Sequence, residues 1–221
     1  LLLFIIALLV FGFFSKNFRL DASSDTLLIE GDPDLKYLQE VNERYGTKEF
    51  LVLTYTPKEP MISENSINNL LSLKYKIQSL KWVHSVITLL DVPLLNSTDK
   101  TLTERLQNFS TLKSEGIDKK RGFKEILDSP VFRNFVISED GETTGIIVNI
   151  KKNEKLEELN LKNKKEVENY KDELKKINHE NIVQIREIIK TYENIGKIHL
   201  GGIPMIADDM MSFIKNDILV F

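Results

Sequence analysis

The last stretch of the chain, residues 196–221, constrains the fold more than any other part of the sequence. Apolar and polar residues alternate over 197–200, which predicts a short strand with one buried face. A helix then begins near Pro204, because the first turn of a helix tolerates a missing N–H. From 218 to 221 that helix is wholly apolar, with no glycine, proline or cap to end it. We therefore predict a strand that passes directly into a helix whose apolar part is cut off.

The joint between this strand and this helix contains Gly201, Gly202 and Pro204. Glycine and proline interrupt regular structure, so the three residues form either an ordinary strand-to-helix turn or a hinge, and both interpretations stay open. Asp208 and Asp209 follow near the predicted helix start, where carboxylates interact favourably with the positive end of the helix dipole. Neighbouring helical residues do not share a face, which disfavours an acid–base or cation-binding pair at this position.

The beginning of the chain is equally apolar, since residues 1–14 carry no charge. A run of this length alone is shorter than the ~20 residues that span a bilayer. The favoured interpretation is a truncated transmembrane helix, and the alternatives are a signal-peptide core and a buried core helix. Lys16 and Arg19 follow the run, and no small-residue cleavage site is visible, which disfavours a signal peptide.

Composition and motifs exclude several classes of function. The net charge of −3 disfavours a nucleic-acid-binding surface. The absence of cysteine excludes disulfides, thiol catalysis and cysteine-ligated metals, and favours a bacterial or archaeal source. The sequence contains no nucleophile elbow, phosphate loop or dinucleotide fingerprint. His84, His179 and His199 are isolated from one another in sequence, so we predict neither an enzyme, nor a cofactor, nor a metal site.

The polar middle of the chain shows a repeated alternation of strand and helix patterns. The predicted elements, in order, are a helix from Pro33, a strand over 50–55, a helix from Ser63, a strand over 82–90, a short helix over 120–127, a hairpin with arms 132–138 and 143–150, two amphipathic helices over 153–177 and 182–192, and a strand over 197–200. This order predicts an α+β fold close to the ferredoxin-like split β-α-β arrangement, with a helical insertion.

The predicted division of the chain has three parts. Residues 1–15 would be a truncated first transmembrane helix, and residues 204–221 the start of a second. Residues 16–203 would be one extracytoplasmic domain. Its halves would cover about 47–95 and 130–203, with the helical and loop insertion at 96–129 between them.

Short motifs then point to a family. They occur in a fixed order along nearly the whole chain, at 20–28 (LDASSDTLL), 45–46 (YG), 82–86 (WVHSV), 138–141 (SEDG), 202–204 (GIP) and 213–218 (FIKNDI). In this respect the chain resembles the first extracytoplasmic loop of RND-superfamily permeases, in the MMPL-like bacterial branch. The last motif lies where these permeases enter their second membrane helix.

The resemblance implies a ferredoxin-like porter domain in the periplasm, within a polytopic pump of the bacterial inner membrane. Such pumps use the proton gradient to move lipids or other hydrophobic compounds. The implied partners are the membrane, the remainder of the same permease and a hydrophobic or lipid substrate, and a homo-oligomer is compatible with the family. The resemblance assigns no substrate-binding or proton-relay residue here. The alternative is a membrane-anchored periplasmic sensor or scaffold domain without transport activity, which a different continuation beyond residue 221 would distinguish.

Overall fold

One antiparallel sheet organises the part of the chain that the computed structural model describes, residues 2–15, 33–45, 49–97, 109–153, 155 and 164–220. Its strand order is β2-β3-β1-β4. The strands are β1 (Phe50–Pro57), β2 (Val83–Ile87), β3 (Thr144–Ile150) and β4 (Gly196–Gly201). Strand β1 lies inside the sheet, where Leu53 pairs with Ile146 of β3 and with Leu200 of β4. The predicted α+β class is confirmed.

Six helices and one short 3₁₀ turn accompany the sheet in the described residues, and two of the helices begin at a side-chain cap. The helices are α1 (Leu2–Ser15), α2 (Pro33–Tyr45), α3 (Glu64–Gln78), α4 (Lys119–Asp128), α5 (Lys164–Thr191) and α6 (Ile203–Val220), with a 3₁₀ turn at Leu89–Asp91. Ser63 caps α3 by accepting a hydrogen bond from the Ser66 N–H, and Asp118 caps α4 in the same way. Such caps satisfy N–H groups that the first helical turn leaves without partners.

The core lies between one face of the sheet and the helices α3 and α5. Alternate residues of β1 point into it, so that Leu51, Leu53 and Tyr55 are fully buried. The helices contribute side chains at helical spacing, namely Ile67, Leu70, Leu73 and Ile77 from α3 and Ile182, Ile185 and Ile188 from α5. The two periodicities seen in the sequence therefore meet in one apolar cluster.

Two carboxylates hold the connection that follows β2. Asp91 accepts hydrogen bonds from the ammonium groups of Lys74 and Lys113, at 2.6 and 2.8 Å, and from the Thr88 N–H at 2.8 Å. Burial alone would raise the pKa of Asp91, but the hydrogen bonds from Lys113, Lys74 and Thr88 outweigh it and lower the pKa to about 2. Glu125 of α4 accepts from three consecutive backbone N–H groups, those of residues 95–97, at 2.6, 2.9 and 2.8 Å.

The described part of the predicted insertion packs on the sheet domain. Leu112 and Ile126 are buried in the same apolar cluster as β1. Residues 98–108 of the insertion, and the motif at 20–28, lie outside the described residues. The predicted domain boundaries therefore stay predictions.

Three local predictions were wrong. The second strand ends at Ile87 and a 3₁₀ turn follows, because Thr88 and Asp91 cap each other. Most of the first arm of the predicted hairpin is a series of turns, in which the Phe132 carbonyl accepts from the N–H of both Phe135 and Val136. The two arms pair only at the hairpin tip, where Ile137 and Thr144 form an isolated antiparallel bridge. Only the second arm is a strand, β3.

The third wrong prediction concerns the charged region before β4. Two helices were expected with a break near residues 178–181, but the single helix α5 runs through it. No glycine or proline interrupts this segment, so the backbone hydrogen bonds of the helix continue.

Candidate functional site

The joint between β4 and α6 is a tight turn of two glycines. Gly201 is the last residue of β4 and pairs with Val52, and Ile203 is the first residue of α6. The Gly202 carbonyl accepts hydrogen bonds from the N–H groups of Met205 and Ile206, both at 3.1 Å, so it begins the helix. Pro204 lies within the first helical turn, as predicted.

Gly202 is the residue of this joint whose backbone requires glycine. Its φ is +118°, a conformation that other residues rarely adopt. A Cβ at this position would come within 3.0 Å of the Phe50 carbonyl oxygen and 3.1 Å of Leu51 Cα. At Gly201 a Cβ would meet only the Val52 carbonyl oxygen, at 3.7 Å, an ordinary contact. The sequence alone does not show which of the two glycines the turn requires. The backbone geometry shows that it is Gly202.

Polar contacts connect α6 to the long helix α5. The Asn178 side-chain amide donates to the Pro204 carbonyl oxygen at 2.8 Å. His179 Nδ1 lies 2.9 Å from Asp208 Oδ1, and it is the donor because a carboxylate only accepts. Arg186 Nη2 lies 2.8 and 2.9 Å from the two carboxylate oxygens of Asp209.

These contacts correct the predicted role of the two aspartates. The first turn of α6 contains no acidic residue, so neither Asp208 nor Asp209 interacts with the helix dipole as expected. Both side chains instead reach α5, although adjacent helical residues point in different directions. They can do so because their partners are His179 and Arg186, which are two helical turns apart on α5.

Helix α6 exposes three large apolar side chains and buries a carboxylate. Ile203, Ile206 and Phe213 are 60%, 46% and 65% exposed, whereas Asp208 is 7% exposed. The three apolar positions are spaced so that they share one side of the helix. At these four positions α6 departs from the usual surface helix, which buries its apolar side and exposes its charges; nearer its end, Lys215 and Asp217 are exposed.

Helix α1 is apolar and exposed all round. Nearly all of its large side chains are exposed, with Phe4 at 79% and Phe11 at 74%. The interpretation of this segment as a buried core helix is therefore wrong for the described chain. Among the described helices, none combines the length and the apolar character that crossing a bilayer requires.

In the part of the chain that the structure describes, the remaining polar residues form no recognisable reaction centre. His84 and His199 are exposed on β2 and β4, and only His179 has a carboxylate partner among the described residues. Within the same residues, no three potential metal ligands lie close enough together to hold an ion. A groove of about 260 Å³ between α3 and α5 is lined by Lys76, Leu80, Gln184 and Glu187, among others.

The comparisons with known proteins add no relative. No protein-family model matches the chain, and no curated protein matches it. The function is therefore inferred from the residues and their geometry.

Proposed function

We propose that the chain is the periplasmic porter-domain portion of a proton-driven RND-type transporter in the bacterial inner membrane. The transported compounds would be lipids or other hydrophobic molecules. We further propose that the sheet domain is ferredoxin-like. In this proposal α1 and α6 belong to the two membrane helices that bracket the domain, and the fragment itself carries out no catalysis.

The observation that carries the proposal is the order of elements in the sheet. The chain passes β1-α3-β2-α4-β3-α5-β4, and the strands lie side by side as β2-β3-β1-β4. Strand β3 therefore lies between β1 and β2, as the split β-α-β arrangement requires. Helix α6 then leaves the sheet directly from β4 through the glycine joint.

The polarity of the flanking helices supports a membrane setting. Helix α1 exposes apolar side chains in every direction, which costs free energy in water and none among acyl chains. In α6 Asp208 and Asp209 are paired with side chains of α5, while Ile203, Ile206 and Phe213 are exposed. Paired charge beside exposed apolar side chains is the pattern that apolar surroundings impose on helices.

A transport assay on the full-length protein tests the proposal. Membrane vesicles containing it should move the lipophilic dye Nile red when a proton gradient is imposed. The movement should disappear when an uncoupler collapses the gradient, and vesicles without the protein provide the control. If neither Nile red nor a fluorescent phospholipid moves in a gradient-dependent way, the transporter proposal fails and the anchored sensor or scaffold becomes the better explanation.

The hinge proposal for Gly201, Gly202 and Pro204 has its own test in the same vesicles. Gly202→Val should lower the rate of dye movement, because the joint can no longer adopt its backbone conformation. Gly201→Ala is the matched control and should transport normally, since its Cβ meets no close contact. Normal transport by Gly202→Val at normal expression would reject the hinge.

A further inference from the structure

Helix α6 is attached to the domain differently from the other helices that touch the sheet. The helices α3 and α5 place buried isoleucines and leucines in the core. Among the described residues of α6, Met205 packs against that core in a partly buried position, and Met210, Met211 and Ile214 are half-buried. Polar contacts with Asn178, His179 and Arg186 complete the attachment to α5.

One of these contacts is open to water, because the side chains of Arg186 and Asp209 are 42% and 30% exposed. In the other, the His179 side chain is 56% exposed and the Asp208 side chain is 6% exposed. Solvent screens the exposed pair and can replace it when it separates. Separation would hydrate both carboxylates and would uncover the half-buried apolar residues of α6, while Ile203, Ile206 and Phe213 are exposed already.

We propose that α6 is a detachable arm: three polar contacts dock it on α5, and it swings about Gly202 while the sheet, α3 and α5 stay folded. The contacts with His179 and Arg186 fix the docked orientation of α6, because Asp208 and Asp209 each bind a different partner and the two partners lie two helical turns apart on α5. Detachment is a property of this chain and does not depend on transport.

Distances between spin labels in the whole chain, reconstituted in lipid nanodiscs, test this proposal. The chain has no cysteine, so introduced cysteines are labelled without background. One pair, at Glu187 of α5 and Lys215 of α6, reports docking. A second pair, at Asn68 of α3 and Glu187, reports the integrity of the domain. All three positions are exposed.

The decisive variant combines His179→Ala with Arg186→Gln. We expect a second, longer 187–215 distance and an unchanged 68–187 distance. The backbone amides of α6 should exchange with solvent at least about fivefold faster, because one exposed pair is lost and the buried Asp208 carboxylate loses its partner. The matched control, Lys176→Ala with Lys190→Gln, removes two exposed charges of α5 that take no part in these three contacts, and it should change neither distance.

Each other outcome overturns the proposal. An unchanged 187–215 distance in the decisive variant would mean that the polar contacts do not dock α6. A change in both distances would mean that α6 is an integral part of the folded domain. A change produced equally by the control pair would mean that the net charge of α5, and not these contacts, positions the arm. None of these results bears on whether Nile red is transported.

Discussion

Helix α5 has two contact surfaces that differ in kind. Toward the sheet it presents Ile182, Ile185 and Ile188, none more than 7% exposed. Toward α6 it presents polar side chains, of which His179 and Arg186 are about half exposed. The same helix therefore takes part in a closed apolar core on one side and in an open polar contact on the other.

The difference shows what each surface contributes. Burial of apolar area stabilises the fold by about 25 cal/mol per Å², without regard to direction. An exposed ion pair contributes between about 0 and 1 kcal/mol, but it requires a particular geometry. We infer that the sheet-facing surface of α5 supplies stability, and that the α6-facing surface supplies orientation.

The largest predicted effect tests the sheet-facing surface. Replacing Ile185 with alanine should lower the free energy of unfolding by about 3 kcal/mol, because it removes buried methylene groups and leaves a cavity. Urea unfolding followed by circular dichroism measures the change. Val183→Ala, on the same helix at 38% exposure, is the control and should change the free energy by less than about 0.5 kcal/mol. Equal losses of unfolding free energy in the two variants would contradict the inference that the sheet-facing surface of α5 supplies stability.

The joint at the end of the sheet should respond next most strongly. Gly202→Ala should cost about 2 kcal/mol of unfolding free energy, because its φ of +118° and its approach to Phe50 both oppose a Cβ. Gly201→Ala should cost clearly less. The same urea titration compares them, and a larger loss for Gly201→Ala would show that the turn is not held as described.

Much of the sheet-facing surface was predictable from the sequence. The isoleucines of α5 recur at helical spacing and the apolar residues of β1 form a continuous run, and both patterns depend only on local chain geometry. The pairing of Asp208 with His179 was not predictable, because it joins residues 29 apart whose meeting depends on how α6 leaves the sheet. The one available signal was the spacing of His179 and Arg186 by two helical turns.

The wrong local predictions have a common cause. The residues over 132–138 have strand-forming side chains, yet the backbone groups of 132–137 bond largely within the segment, where Asn134 takes a positive φ of 64°. Likewise, the apolar stripes over 153–177 and 182–192 were assigned to two helices, but the polar residues between them do not end a helix by themselves. In both places side-chain character was used to predict backbone hydrogen bonding, which it determines only in part.

The smallest predicted effects concern two ion pairs that differ in exposure. They show whether the contacts between α5 and α6 contribute little stability because they are polar or because they are exposed to water. Asp91 and Lys74 also form an ion pair, but their side chains are 22% and 10% exposed, compared with 30% and 42% for Asp209 and Arg186. Asp91→Asn should therefore cost about 1–2 kcal/mol of unfolding free energy at pH 7, because it leaves the buried Lys74 charge without its partner. Arg186→Gln should cost less than about 0.5 kcal/mol.

The pH dependence of the loss of unfolding free energy in Asp91→Asn tests whether the paired carboxylate of Asp91 is its cause. The pKa of Asp91 is lowered in the folded chain, to about 2 from its ordinary value of 3.8, so the folded state binds a proton less readily than the unfolded state. The stability that Asp91 contributes is then fully present above its unfolded pKa, and it is lost as the pH falls toward 2. Urea titrations of the wild-type chain and Asp91→Asn should therefore converge at low pH, while Asp128→Asn, an exposed substitution on α4, should follow the wild type throughout. Suppose that Asp91→Asn lowers the free energy of unfolding no more than Arg186→Gln does at pH 7. Both contacts would then be weak because they are polar, whatever their exposure. The contacts of α6 with α5 would in that case separate no more easily than the contacts of Asp91 after β2.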